Sequence, residues 1–295
     1  MNMNNEESDS KMGDAGICPG SPDNQDIQLV SAVFDKISDQ GGENLITQLS
    51  QGNETVDDIV DKIALSDRLE VRKKHLLTDN TMETGFVSAD FSYVGLNAEI
   101  QASGFHNAFN QHIRPRLGKR ADGFSVIFDV LRQQERPVIV ETGCLRVPNN
   151  WEGDGQSTFL FDWFAREMHG TVFTIDINAA SIDSARRACS GTTNTILNDS
   201  RAGLHTLGQI TSRAASLLYL DSFDLDISAP MPSAIHHATE MMAARRLISE
   251  GTLICVDDFN VPPLGEGGKG MIIDQFMSSI GAEVLYSGYQ KIWRV

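Results

Sequence analysis

The chain has 295 residues, 40 Asp and Glu against 24 Lys and Arg, and a formal net charge of −16. That charge repels nucleic acid and anionic membrane alike, so neither is an expected partner and a neutral or cationic small molecule fits better. At this length one large core is buried without disulfides or structural metal, and Cys18, Cys144, Cys189 and Cys255 lack CxxC spacing, so with no basic-then-apolar leader the expected compartment is the cytoplasm.

No apolar run reaches the roughly 18 to 20 residues that cross a bilayer, so a soluble protein is expected. Residues 1–25 are rich in Asn, Ser, Asp, Gly and Pro and read as a disordered tail. From 26 onward Val30, Val33, Phe34 and Ile37, then Leu45, Ile46 and Leu49, then Val56, Ile59, Val60 and Ile63 recur at helical spacing. Three short amphipathic helices follow, serving either as a small cap or as a dimerisation surface, which leaves a homo-oligomer open. This helical region and a connector carrying Phe86, Phe91 and Tyr93 extend to 104, and an α/β domain occupies 105–295. Residues 105–133 read as helix broken between Pro115 and Gly123, beside the basic group Arg114, Arg116, Lys119 and Arg120, read as a solvated face in preference to a contact for an anionic substrate group.

From Pro137 strand and helix patterns alternate, which predicts a parallel sheet. Strands are expected at 138–141, 172–177, 195–198, 216–220 and 252–256, with helices at 158–168, 179–189, 201–210, 232–249 and 269–280. The rhythm then breaks, because the apolar runs 283–289 and 291–295 are separated by almost nothing. A parallel return needs a crossover of a dozen or more residues, so the last strand must run antiparallel.

The first strand, Pro-Val-Ile-Val-Glu-Thr-Gly, ends at Glu141 and Gly143, and the next ends at Asp176, whose carboxylate is placed to accept hydrogen bonds from a ribose. The alternative for Asp176 is a cap on the helix at 179. Ser157 is the expected N-cap of the helix that follows the first loop, opening N–H groups to a carboxylate. Strands four and five end in Asp221 and in Asp257-Asp258, neighbours in the expected sheet. Three carboxylates at one rim repel one another unless a hard divalent cation such as Mg²⁺ joins them or they serve a structural role. Successive strand residues face opposite sides, so Asp257 and Asp258 both ligate only where the strand has ended. His236 and His237 share a helix with Glu240, and since neighbours on a helix point about 100° apart, one at most faces the cleft; His237 is favoured as the base, the alternative being a structural histidine. Gly265-Glu-Gly-Gly-Lys-Gly270 departs from the GxxxxGK[ST] order, so it reads as a flexible loop with Lys269 opening the final helix.

Five βα units closed by an antiparallel hairpin resemble the class I S-adenosylmethionine-dependent methyltransferases. Within 137–295 the Glu141-Thr142-Gly143 strand end, the delayed Gly155-Gln-Ser157-Thr158 helix start, the His and Glu on the helix before strand five and the Val256-Asp257-Asp258 end are similar to the macrocin O-methyltransferase and cephalosporin-hydroxylase-like branch. The resemblance implies a Rossmann-like seven-stranded, mostly parallel sheet with an antiparallel last strand. It also implies S-adenosylmethionine held by Glu141, Gly143, Ser157, Asp176, Asp199 and Asp221, with Asp199 near the adenine amino group. Mg²⁺ on Asp221, Asp257 and Asp258, catalysis by His237 and Asp221, and a hydroxylated sugar or other small metabolite as acceptor complete the expectation. The glycine string is broken by Leu145. An NAD-dependent oxidoreductase and a non-catalytic binding protein are the rival readings; the missing GxGxxG and the terminal hairpin count against the first.

Overall fold

The computed structural model describes residues 96–154 and 156–295. The expected tail, the three N-terminal helices and Phe86, Phe91 and Tyr93 lie outside the described residues.

Seven strands form one sheet, β1 (Val138–Thr142), β2 (Thr171–Asp176), β3 (Thr193–Leu197), β4 (Leu217–Leu220), β5 (Leu253–Val256), β8 (Glu283–Ser287) and β9 (Lys291–Arg294), in the order β3-β2-β1-β4-β5-β9-β8. The pairs within β1 to β5 are parallel, and β9 runs antiparallel to both β5 and β8. This is the seven-stranded, Rossmann-like arrangement expected from the resemblance. A separate two-stranded hairpin, β6 (Asn260–Val261) and β7 (Gly265–Glu266), projects after β5.

β4 and β5 are apolar along their whole length, and β1 over its first three residues, because both faces are covered. Val138, Val140, Leu218, Leu220, Ile254 and Val256 pack on one face with Trp293. Ile139, Leu217, Tyr219, Leu253, Cys255 and Ile292 pack on the other. The second face carries α1 (Ala121–Leu131) and α2 (Ser157–Glu167) through an aromatic cluster of Phe105, Phe124, Phe128, Phe161 and Tyr219. Next to α2 stands α3 (Ala179–Ala188). The first face carries α4 (Ser200–Ile210), α5 (Met231–Ala243) and α6 (Met271–Ser279). Among the described residues no helix is long and apolar enough to cross a membrane.

The break expected at Pro115 is present as two tight turns, Arg114–Arg116 and Gly118–Arg120, before α1 begins. Proline there removes a helical donor and forces a new start, and the turns carry Arg120 inward, where it is 6% exposed. One helix expected at 232–249 ends at Ala243 and passes into the short turn Arg245–Leu247.

Candidate active site

Because β1, β2, β4 and β5 are parallel, their carboxyl ends share one edge of the sheet, where ligands enter open α/β folds. The loop after β1 leaves through Gly143, whose φ is +77°. A Cβ at this position would lie 2.4 Å from the Asp221 carbonyl oxygen, so only glycine lets the β1 and β4 ends pass this closely. Gly143, Cys144, Arg146, Asp154, Ser157, Asp176, Asp221 and Ser222 line an open cleft.

Asp176 stands at the end of β2 and is half-buried. Its carboxylate accepts from Cys144 N at 3.0 Å and Asn178 N at 2.7 Å, which aims it across the cleft. Asn178, rather than Asp176, caps α3 by accepting from Ala180 N. Ser157 lines the cleft but is not the N-cap expected for it: Gln156 takes that place in left-handed backbone, and Ser157 opens the helix proper. Gln156 turns its side chain away to Val147 O at 2.9 Å and Asn149 N at 3.1 Å, holding the long loop shut.

Glu141 does not reach the cleft. It is fully buried, and its Oε2 accepts from Thr158 Oγ1 at 2.7 Å and Thr174 Oγ1 at 2.6 Å. Burial pushes its pKa up to about 7, against the opposing hydroxyls of Ser157, Thr174 and Thr158. Thr158 Oγ1 in turn accepts from Leu145 N at 2.9 Å, so Glu141 supports the loop from beneath. Leu145, which interrupts the glycine string, is buried with Cys144, Ile182 and Ala185, an apolar peg that fixes the loop onto α3.

Asp199 is likewise spent inside the protein. It caps α4 by accepting from Arg201 N at 3.0 Å and Ala202 N at 3.3 Å, and pairs with the Arg201 guanidinium at 2.9 Å. The adenine contact expected for it would compete with all of these.

The acidic rim forms as expected: oxygens of Asp221, Asp257 and Asp258 lie within 4.8 Å of one another. The strand has ended by Asp258, whose φ is +49°, which lets consecutive aspartates turn toward one centre. Two protein cations share this centre. Lys269 Nζ stands 2.5 Å from Asp221 and 3.1 Å from Asp258. Arg120 grips Asp257 from Nε at 2.9 Å and Nη2 at 2.7 Å, and Tyr219 Oη donates to the same carboxylate at 3.1 Å. Tyr289 Oη donates to Asp258. Burial pushes the Asp221 pKa up to about 7, against the pull of the Lys269 ammonium. Burial alone would lower Lys269, but Asp221, Asp258 and Asp257 outweigh it and keep the amine charged.

Neither Arg120 nor Lys269 stands out in the sequence as a site residue. The cluster 114–120 in so acidic a chain was the available signal for the arginine. Lys269 had its signal in the glycines around it: a Cβ at Gly268 would meet Asp258 O at 1.9 Å, and one at Gly270 the Phe259 ring at 2.8 Å. The glycine-rich run is therefore a packed turn that delivers a lysine, not a flexible cover.

His237 is not placed as a base. It is fully buried, its Nδ1 lies 2.7 Å from Ser233 O, and its Nε2 has no hydrogen-bond partner. Burial, against the pull of Glu240, pushes its pKa down to about 3. His236 is the more exposed of the two, with Nε2 3.1 Å from Ser200 Oγ and 3.3 Å from Glu240. Glu240 accepts from Ser222 Oγ at 2.6 Å and Thr142 Oγ1 at 3.2 Å, bracing the β1 and β4 ends.

No family model matches the chain, and no curated protein does. Solved structures similar to it include the MycE methyltransferase from the mycinamycin biosynthetic pathway, in complex with Mg, SAH and mycinamycin VI, at 14% identity and a TM-score of 0.42 over 59% of this chain and 48% of that one. The chain thus spans about half the length of MycE. CalS11, a TDP-rhamnose 3'-O-methyltransferase of calicheamicin biosynthesis, is similar at 13% identity and a TM-score of 0.40, over 76% of this chain and 91% of that one. TomG, an O-methyltransferase from Streptomyces achromogenes in complex with SAM, is similar at 15% identity and a TM-score of 0.41, over 68% and 90%.

Proposed function

We propose that the chain is an S-adenosylmethionine-dependent O-methyltransferase acting on a hydroxyl of a sugar or another small metabolite. The observation that carries this reading is the convergence at one sheet edge of Gly143, a ribose-competent Asp176 and the Asp221, Asp257 and Asp258 rim, in a sheet closed by antiparallel β9. When bound, S-adenosylmethionine supplies an electrophilic methyl to the acceptor oxygen and leaves as a thioether.

The chain's part is positioning and proton handling. Asp176, oriented by two backbone N–H groups, would accept from the ribose hydroxyls, and the start of α2 at Ser157 would face the methionine end. Asp221 lines the same cleft and takes the acceptor hydroxyl's proton as base. It replaces His237 in that role. Asp221 and Asp258 carry oxygens suited to Mg²⁺, whereas Asp257 is held by Arg120. A divalent ion there would lower the pKa of a bound hydroxyl.

Isothermal titration with S-adenosylmethionine and with its demethylated product tests the reading. Saturable binding that Asp176→Ala weakens at least tenfold, with the circular dichroism spectrum unchanged, is the expected result. A chain that binds neither compound is not a methyltransferase of this kind.

A further inference from the structure

The Lys269 side chain lies where a metal ion would bind, and nothing in its surroundings lets it leave without cost. It is 1% exposed, and it is the only lysine among the largest fully buried side chains of the described residues. Burying an ammonium is unfavourable unless it is paired, and here the pairing is with two carboxylates at once. The backbone is built around that placement. Lys269 N donates to Asp258 O at 3.3 Å, and the two glycines beside it allow main chain to press against Asp258 and Phe259 where any side chain would collide. Arg120 meanwhile takes Asp257, so the three carboxylates face two protein cations.

We propose that Lys269 is a built-in cation of the acceptor site, and that its ammonium and a divalent ion are alternatives for the Asp221 and Asp258 carboxylates. Two positive centres cannot share those oxygens at 2.5 to 3.1 Å without strong repulsion. Lys269 therefore weakens divalent-ion binding, and a strongly bound ion has to turn the ammonium out of the pair. The turn Gly268–Gly270, which leads directly into α6, is the element that such a displacement moves. Paired with two carboxylates at once, Lys269 is a counter-ion and positioning residue. The competition rests on the metal part of the functional reading above, but it is read without turnover.

Mn²⁺ binding, followed by electron spin resonance of the free ion, is to be compared in wild type, Lys269→Met and Lys269→Arg, with S-adenosylmethionine affinity measured on the same preparations. The expected result is a dissociation constant for Mn²⁺ at least tenfold lower in Lys269→Met, with Lys269→Arg close to wild type. Equal or weaker binding in folded Lys269→Met overturns the competition. Loss of cofactor binding in wild type would instead defeat the methyltransferase reading and leave the Mn²⁺ comparison standing. Should Lys269→Met fail to fold, wild type decides by nuclear magnetic resonance of ¹³Cε-labelled lysine, with the Lys269 signal assigned through Lys269→Arg. Weak or absent Mg²⁺ binding, or binding that shifts that signal, supports the proposal; tight Mg²⁺ binding with the signal unmoved overturns it.

Discussion

At the scale of single residues, His237 shows how burial turns a plausible base into a structural group. Its Nδ1 faces a carbonyl oxygen, which requires the proton on that nitrogen, and its Nε2 faces no donor. The consequence is a pH dependence of stability. The unfolded histidine takes a proton near 6.5, whereas the folded one resists until about 3. Its contribution is therefore fully present above 6.5 and is lost as pH falls from there toward 3, with a slope of up to about 1.4 kcal/mol per pH unit. Denaturant titrations of wild type and His237→Asn should show the stability difference between them changing by up to about 1.4 kcal/mol per pH unit, to the disadvantage of wild type, as pH falls from 6 to 4; a difference that does not change with pH would contradict this account. Glu141 acts in the opposite sense over part of the range. Its folded pKa is raised to about 7, so its contribution is present below the ordinary value near 4.3 and is lost as pH rises through 7. Each substitution must therefore be read against wild type at every pH.

Asp176 and Asp199 make a second contrast at this scale, since both follow a strand and both precede a helix. The Asp199 carboxylate is consumed by two N–H groups and a guanidinium, so Asp199→Ala should cost about 0.5–2 kcal/mol of stability as a lost cap. Asp176 leaves the capping to Asn178 and remains available. The two positions look alike in sequence; the identity of the residue two places on separates them, with Asn178 supplying a cap after one and Arg201 a partner after the other.

At the scale of elements, the loop after β1 and the turn before α6 do the positioning. Gly143→Ala forces a Cβ to within 2.4 Å of Asp221 O at a φ of +77°, so the β1 and β4 ends must separate. The expected cost is about 1–3 kcal/mol, together with weaker S-adenosylmethionine binding, and a thermal melt beside a titration measures both. Wild-type values on both counts would show that the close approach does not matter. The interrupted glycine string, which looks like a defect in sequence, is a substitution of method. Leu145 anchors by apolar packing and Thr158 by a hydrogen bond, where a glycine-rich loop relies on a tight turn.

At the scale of the whole molecule, β9 links the stability of the sheet to the site. Its Trp293 is 1% exposed and belongs to the same apolar face as β1, β4 and β5, while Gln290 and Tyr289, in the turn before it, reach Tyr219 and Asp258. Trp293→Ala should cost about 3–5 kcal/mol, a large share of a typical total of 5–15. Urea denaturation gives the number, and a loss below 1 kcal/mol would mean that β9 is not part of the cooperative core.

What the sequence determined by itself was whatever depends on local periodicity and chain connectivity. The strand and helix alternation from 137 onward, the antiparallel return imposed by a short final connection, and the placing of Gly143, Asp176, Asp221, Asp257 and Asp258 at strand ends all follow from those rules. Tertiary structure alone decided which of these groups remain available. Arg120 lies 137 residues from Asp257 and Lys269 lies 48 from Asp221, so no local pattern announces either pair. The burial of Glu141 and His237 and the saturation of Asp199 are likewise products of packing. A side chain's chemistry is set by the charges and donors within a few ångströms of it, and those arrive from distant parts of the chain only when the sheet has closed.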